Sequence, residues 1–167
     1  MKMADIRLKA YGLAAGVFLV DRFTKWLIET YVSFLDTLRI IPGFFDIVHT
    51  ENRGVAFSLF NDSTSAWRTS LLVLFSVIAV VLVGGFIFRR ADRLDRYSLA
   101  GFALILGGAL GNVFDRIVWG RVTDFLDFYI GAYHWPAFNV ADSAIVIGSL
   151  LLLIEVLRPG RQAANVP

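Results

Sequence analysis

The apolar residues of this chain fall in long blocks, and that distribution restricts the fold more than any other feature. A helix needs roughly 20 mostly apolar residues to cross a bilayer. Four stretches reach that length, at about residues 8–28, 67–88, 97–118 and 138–157. The second has an uninterrupted centre, SLLVLFSVIAVVLVGGFIF. With 57% of its 167 residues hydrophobic, the chain is more apolar than a soluble domain, which is nearer half. The first stretch begins like a signal peptide, with Lys2, Arg7 and Lys9 ahead of an apolar centre from Ala10 to Val20. It runs on into DRFTKW rather than a small-residue cleavage site, so it reads as a retained helix.

Lysine and arginine in short loops set orientation, because they stay on the cytoplasmic side. They gather at the N-terminus (Lys2, Arg7, Lys9), between the second and third stretches (Arg89, Arg90, Arg93, Arg96) and at the C-terminus (Arg158, Arg161). The other two loops hold only Arg39, Arg53 and Arg121 in this reading. The expectation is a mainly α membrane protein: one integral-membrane domain over residues 1–167, four transmembrane helices, and both termini cytoplasmic. Residues 29–66 and 119–137 then face outward. Between the first two helices, Leu38 to Phe60 mixes aromatic and β-branched residues with Gly, Pro and Asn, which predicts a small extracytoplasmic β element. Trp119, Tyr129, Tyr133 and Trp135 suit an interfacial aromatic belt.

Several chemistries are excluded. The chain has no cysteine, which removes disulfides, thiolate metal sites and a cysteine nucleophile. Its two histidines, His49 and His134, cannot build a three-histidine metal site and read as interfacial or hydrogen-bonded residues. No metal or cofactor is expected. A net charge of +2 gives no case for nucleic acid.

Charge inside a bilayer is costly and usually marks function. Asp21 and Lys25 are spaced i,i+4 and can pair on one face of the first helix; they read as a structural ion pair or a substrate contact. Asn112, Asp115 and Arg116 share the outer end of the third helix, behind Gly107 and Gly111, which suit close helix packing. They form either a self-satisfied polar brace or a substrate-facing cluster, with Arg116 able to hold a carbonyl or a carboxylate. In ENRGVAF, Gly54 suits a tight turn, and Asn52 either caps it or binds a substrate backbone. Asp124 and Asp142, the latter near Asn139 in FNVADS, would each pass alone for helix-terminal carboxylates. Together they are placed on the same outer surface. If the fold brings them together, two such carboxyl groups share one proton, so that one can take a proton from water while the other donates to a leaving amine.

Two other classes compete with this reading. A serine–lysine peptidase would use Lys25 with Ser58 or Ser143, but Asp21 keeps Lys25 charged and a poor base. A transporter would need polar groups through the full thickness, whereas here they crowd the outer edge.

The segments DRFTKW (Asp21 to Trp26), ENRGVAF (Glu51 to Phe57), GGALGNVFDR (Gly107 to Arg116), VTDFLDF (Val122 to Phe128) and FNVADS (Phe138 to Ser143) together resemble the lipoprotein signal peptidase family, signal peptidase II, in order and spacing. The resemblance implies an inner-membrane aspartic endopeptidase that cuts before the diacylglyceryl-modified cysteine of a bacterial prolipoprotein. It implies membrane lipid around the site and binding of globomycin-type inhibitors. The family's catalytic aspartates match Asp124 and Asp142. Its other characteristic polar positions match Asp21, Lys25, Asn52, Gly54, Asn112, Asp115, Arg116 and Asn139.

Overall fold

A computed structural model describes residues 3–54 and 66–158. Along the chain, helix α1 (Met3–Tyr31) leads into strands β1 (Thr37–Ile41) and β2 (Phe45–Asn52). Helix α2 (Ala66–Arg90) and a short 3-10 turn precede helix α3 (Arg96–Trp119), then strands β3 (Val122–Ile130) and β4 (Tyr133–His134), and helix α4 (Val140–Leu157). Among the described residues, α2, α3 and α4 are long and apolar enough to cross a membrane. At 29 residues α1 is longer still, but Asp21, Arg22 and Lys25 interrupt its apolar run.

Helix α3 is the hub, packed against α1, α2 and α4. Its glycines make this possible. A Cβ at Gly107 would run into the Ala14 carbonyl and Val17 of α1, and one at Gly108 into the Ala141 carbonyl and Ile145 of α4. Gly101 and Gly148 each face the other's carbonyl oxygen across the α3–α4 contact. Small residues at such crossings let backbones approach closely, which is a main source of helix association in lipid. Gly108→Val is therefore expected to force α3 and α4 apart and to cost about 1–3 kcal/mol of stability. Thermal unfolding in detergent reads this as a lowered Tm; an unchanged Tm would mean the crossing is not tight.

Local signals set the ends of α3. The Asp95 side chain accepts from the N–H groups of Tyr97 and Ser98, which satisfies donors that the first turn leaves orphaned. Gly120 closes the helix with φ 67°, a left-handed conformation that glycine adopts without penalty. That turn sends the chain directly into β3.

The sheet is four-stranded and antiparallel, in the order β1-β2-β3-β4. The β element predicted between the first two helices is thus only half of it. The segment VTDFLDFYI contributes β3, which carries Tyr129, and Tyr133 lies in β4. Tyr129 stacks on His134 with ring centroids 4.7 Å apart, and the Gly43 N–H donates to its hydroxyl. Phe128 packs against Phe44, Phe45 and Phe138. Cross-strand aromatic pairing of this kind is a main source of sheet stability. His49 bonds to the Val32 carbonyl through Nδ1 at 2.7 Å, and His134 to Asp127 at 2.8 Å.

Candidate functional site

Asn139 organises the site from the local sequence upward. It is the N-cap of α4, with its side chain accepting from the Asp142 N–H, while the Asp142 carboxylate accepts from the Asn139 N–H. This reciprocal capping box fixes the Asp142 carboxylate at the start of the helix. The Nδ2 of Asn139 donates to Asp124 Oδ1 on β3 at 2.7 Å. One fully buried residue thereby holds both aspartates, which arrive from a strand and from a helix start.

Each carboxylate has a second amide. Asn52, at the end of β2, donates to Asp124 Oδ2 at 3.1 Å. Its own Oδ1 accepts from the Gly54 N–H at 3.0 Å, an Asx-type turn that aims Nδ2 at the aspartate. The turn and site roles of Asn52 and Gly54 are therefore compatible. Antiparallel pairing of β2 with β3 brings this end of β2 to Asp124. Asn112 of α3 donates to Asp142 Oδ1 at 2.7 Å.

Behind the pair lies a buried charge network. Lys25 Nζ stands 2.8 Å from Asp21 Oδ2, 3.0 Å from Asn112 Oδ1 and 2.6 Å from Asp115 Oδ2. The last contact is close enough for an ion pair, but Oδ2 of Asp115 lacks the angles of a hydrogen bond. Asp21 also accepts from the Ala141 N–H at 2.9 Å, satisfying an orphan donor in the first turn of α4. Gly111 leaves room for Asp21. Both Asp21 and Lys25 are 0% exposed. They tie α1 to α3 and α4, and Lys25 fixes the Asn112 amide in the orientation that serves Asp142.

Arg116 donates to the Asn112 carbonyl at 3.2 Å and lies within electrostatic reach of Asp142, Asp124 and Asp115. It also ends an open, mainly apolar groove of about 430 Å³ between α2 and α3, lined by Ser70, Val73, Leu74, Val77 and Ile117. The structure thus draws the sequence-selected polar residues into one connected cluster. It also adds Arg22, which sequence reasoning missed and which pairs with Asp115 at 2.5 Å. The signal was charge balance: Asp21 and Asp115 against Lys25 alone leave a buried negative charge that needs another cation. The lysine is engaged by carboxylates, and Ser143 donates to the Asn139 carbonyl; Ser58 lies outside the described residues. Among the described residues no group of His, Cys, Asp and Glu is arranged to hold a metal ion.

Burial raises the Asp124 carboxyl from its ordinary value of 3.8 to about 6, and the charge of Asp142 pushes the same way. Hydrogen bonds from Asn52 and Asn139, and the charge of Lys25, oppose the rise. A group poised there holds or loses a proton near neutral pH, as acid–base chemistry requires.

The sequence model of the signal peptidase (SPase) II family matches residues 13–158. The chain belongs to the signal peptidase II family. It is 64% identical to a lipoprotein signal peptidase of Solibacter usitatus over 98% of this chain and 99% of that one. A lipoprotein signal peptidase of Nitratidesulfovibrio vulgaris is 46% identical over 92% and 93%. The fold superposes with a TM-score of 0.78 on a bacterial membrane enzyme solved by the in meso method at 2.3 Å, with 27% identity over 95% of this chain and 92% of that one. Membership in the signal peptidase II family makes the chain a protease of a membrane-embedded kind, and the polar cluster is its candidate active site.

Proposed function

We propose that this chain is an aspartic endopeptidase of the inner membrane that removes the signal peptide of diacylglyceryl-modified prolipoproteins, cutting before the lipidated cysteine. The single observation that carries this reading is Asn139 holding Asp124 and Asp142 together. In this reading one domain spans residues 1–167. The four helices cross the bilayer with both termini cytoplasmic, and the sheet and the aspartate pair lie at the outer face.

The chemistry follows from the pair. Asp124, with its raised carboxyl, starts with the shared proton, and Asp142 starts as the base. Water oxygen attacks the scissile carbonyl carbon as Asp142 takes one of its protons. Asp124 then gives its proton to the departing nitrogen as the C–N bond breaks. The signal peptide leaves with a new carboxyl group, and the lipidated cysteine becomes the new N-terminus. No covalent enzyme intermediate forms. Arg116 holds a substrate carbonyl or the charge that develops on it, as a fixed cation in a dry site does well. The groove between α2 and α3 takes the acyl chains from the surrounding lipid. Asn112, Asn139 and Asn52 position the carboxylates, Gly54 shapes the Asn52 turn, and Asp21, Lys25 and Asp115 support the amides from behind. A globomycin-type inhibitor competes for the same cleft.

Two experiments test this. Purified protein should release the signal peptide only from a lipidated prolipoprotein, with globomycin blocking it. The pH dependence tests the mechanism. Because the Asp124 carboxyl is raised, its proton is present below about 6 and lost above it. Accordingly, kcat/KM, which reports groups of the free enzyme, should decline as pH rises through that value. A kcat/KM that is flat from about pH 5 to about pH 8 would remove Asp124 as the acid.

A further inference from the structure

A cavity of mixed polar and apolar lining lies on the other side of β3 from the aspartate pair. Thr123 and Asp124 are consecutive in β3, so their side chains point to opposite faces of the sheet. Asp124 faces the amide cluster. Thr123 faces a pocket of about 180 Å³, lined by Glu29, Phe34, His49, Trp119, Arg121 and Thr123. The pocket sits where α1 and α3 end and the sheet begins, which is the bilayer edge in the placement proposed above.

The lining carries one group of each sign on aromatic walls. Arg121 pairs through Nε with Glu51 at 3.0 Å, and its side chain is 42% exposed. That pairing uses one of five guanidinium N–H donors. The Glu29 side chain is 34% exposed. Thr123 donates to its Oε1 at 2.7 Å, while Arg22 is 3.9 Å from Oε2, beyond hydrogen-bond length. Trp119 is fixed beneath Arg22, whose guanidinium carbon is 4.4 Å from the ring centroid. Phe34 is fixed on His49, with centroids 3.9 Å apart.

We propose that this pocket binds the zwitterionic headgroup of a bilayer phosphoethanolamine lipid. The phosphate lies on the free amino groups of Arg121, the primary ammonium lies on Glu29, and the glycerol end rests on Trp119 and Phe34. Guanidinium suits a phosphate because its planar fork matches two oxygens. Carboxylate suits a primary ammonium, which donates hydrogen bonds; a quaternary choline has none to donate. A phosphoglycerol headgroup would satisfy Arg121 and bring Glu29 no hydrogen-bonding cation, leaving it only Arg22 at 3.9 Å. Aromatic side chains at headgroup depth complete such a site. The inference rests on the bilayer placement but not on the aspartate chemistry.

Native mass spectrometry of the whole protein tests it, with phosphatidylethanolamine, phosphatidylcholine and phosphatidylglycerol of identical acyl chains in equal amounts. The wild type should retain phosphatidylethanolamine over phosphatidylcholine by roughly tenfold, the contribution of about one charge-assisted hydrogen bond. Glu29→Gln should abolish that preference. Arg121→Gln should lower retention of all three phospholipids. Soluble phosphoethanolamine should compete only weakly, since it lacks the bilayer anchor. Equal retention of the three lipids by the wild type would overturn the site without any variant. Competition by soluble phosphoethanolamine as strong as by the lipid would overturn the lipid as the ligand. An enzyme that cleaves prolipoprotein yet ignores the headgroup removes this site alone; one that selects the headgroup yet cleaves nothing removes the peptidase reading alone.

Discussion

Asp124→Asn and Asp142→Asn, each purified in detergent, are expected to lose at least about a thousandfold in cleavage rate, the scale of positioned acid–base groups. Both substitutions keep shape and a carbonyl acceptor, so the Asn139 bonds survive in part and the fold should hold. The losses should not add. Once one carboxyl is gone there is no shared proton to pass, so the double variant should be little worse than either single one. Loss of rate therefore has to be read beside an unchanged gel-filtration profile and a Tm close to the wild type. Turnover within about tenfold of the wild type by either verified variant would mean that the pair does not perform the proton transfers.

Lys25→Met is expected to act on stability first. The ammonium is the shared partner of Asp21 and Asp115 and donates to Asn112. Removing one member of a buried ion cluster leaves charge uncompensated and typically costs about 3–5 kcal/mol. Arg22 still reaches Asp115, so the larger burden falls on Asp21. Adding Asp21→Asn to Lys25→Met should therefore recover part of the lost stability, a coupling that a double-mutant cycle reads directly. The Lys25→Met protein that remains folded should cleave slowly, because Asn112 is less well fixed, and its pH profile should move to higher pH, because the Lys25 charge no longer opposes the rise of the Asp124 carboxyl. A Tm close to that of the wild type would mean the network is not the strut described here. Complete loss of chemistry with normal folding and substrate binding would return Lys25 to consideration as a base.

The helices were legible because their signal is long and apolar. The apolar blocks at about 67–88 and 97–118 meet α2 and α3 to within two residues, and α4 starts two residues after the block at 138. That last offset has a cause: Asn139 spends its side chain on capping and on Asp124 rather than on extending the helix. Strand β3 was not legible as a strand. Val122 to Phe125 are buried in succession and only Ile130 is exposed, so the segment lacks the alternation that marks a half-exposed strand. Its partner β2 lies far back in sequence, beyond what local pattern can register.

The site divides the same way. Polar residues inside apolar helices announce themselves through their cost, so Asp21, Lys25, Asn112, Asp115 and Arg116 could be picked out one by one. Their partners could not. The i,i+4 spacing gave the Asp21–Lys25 pair, but Lys25 also reaches across to Asp115, and no local spacing links Arg22 to Asp115, 93 residues away. The helix-terminal reading of Asp142 was only part of the arrangement: Asp142 closes a capping box whose N-cap is Asn139. That the same amide also holds Asp124 depends on β3 lying beside the start of α4, through the bonds of Leu126 with Phe138.

A gel-shift assay reads out whether the Asp124–Asp142 pair cleaves a lipidated prolipoprotein. Purified wild-type protein in lipid would be given a diacylglyceryl-modified prolipoprotein, with the unmodified form in parallel. The signal peptide should be lost from the lipidated form only, with the loss blocked by globomycin and absent with Asp124→Asn or Asp142→Asn. Cleavage of both forms alike, or none from either by well-folded wild type under conditions where a lipoprotein signal peptidase works, would contradict the proposed function.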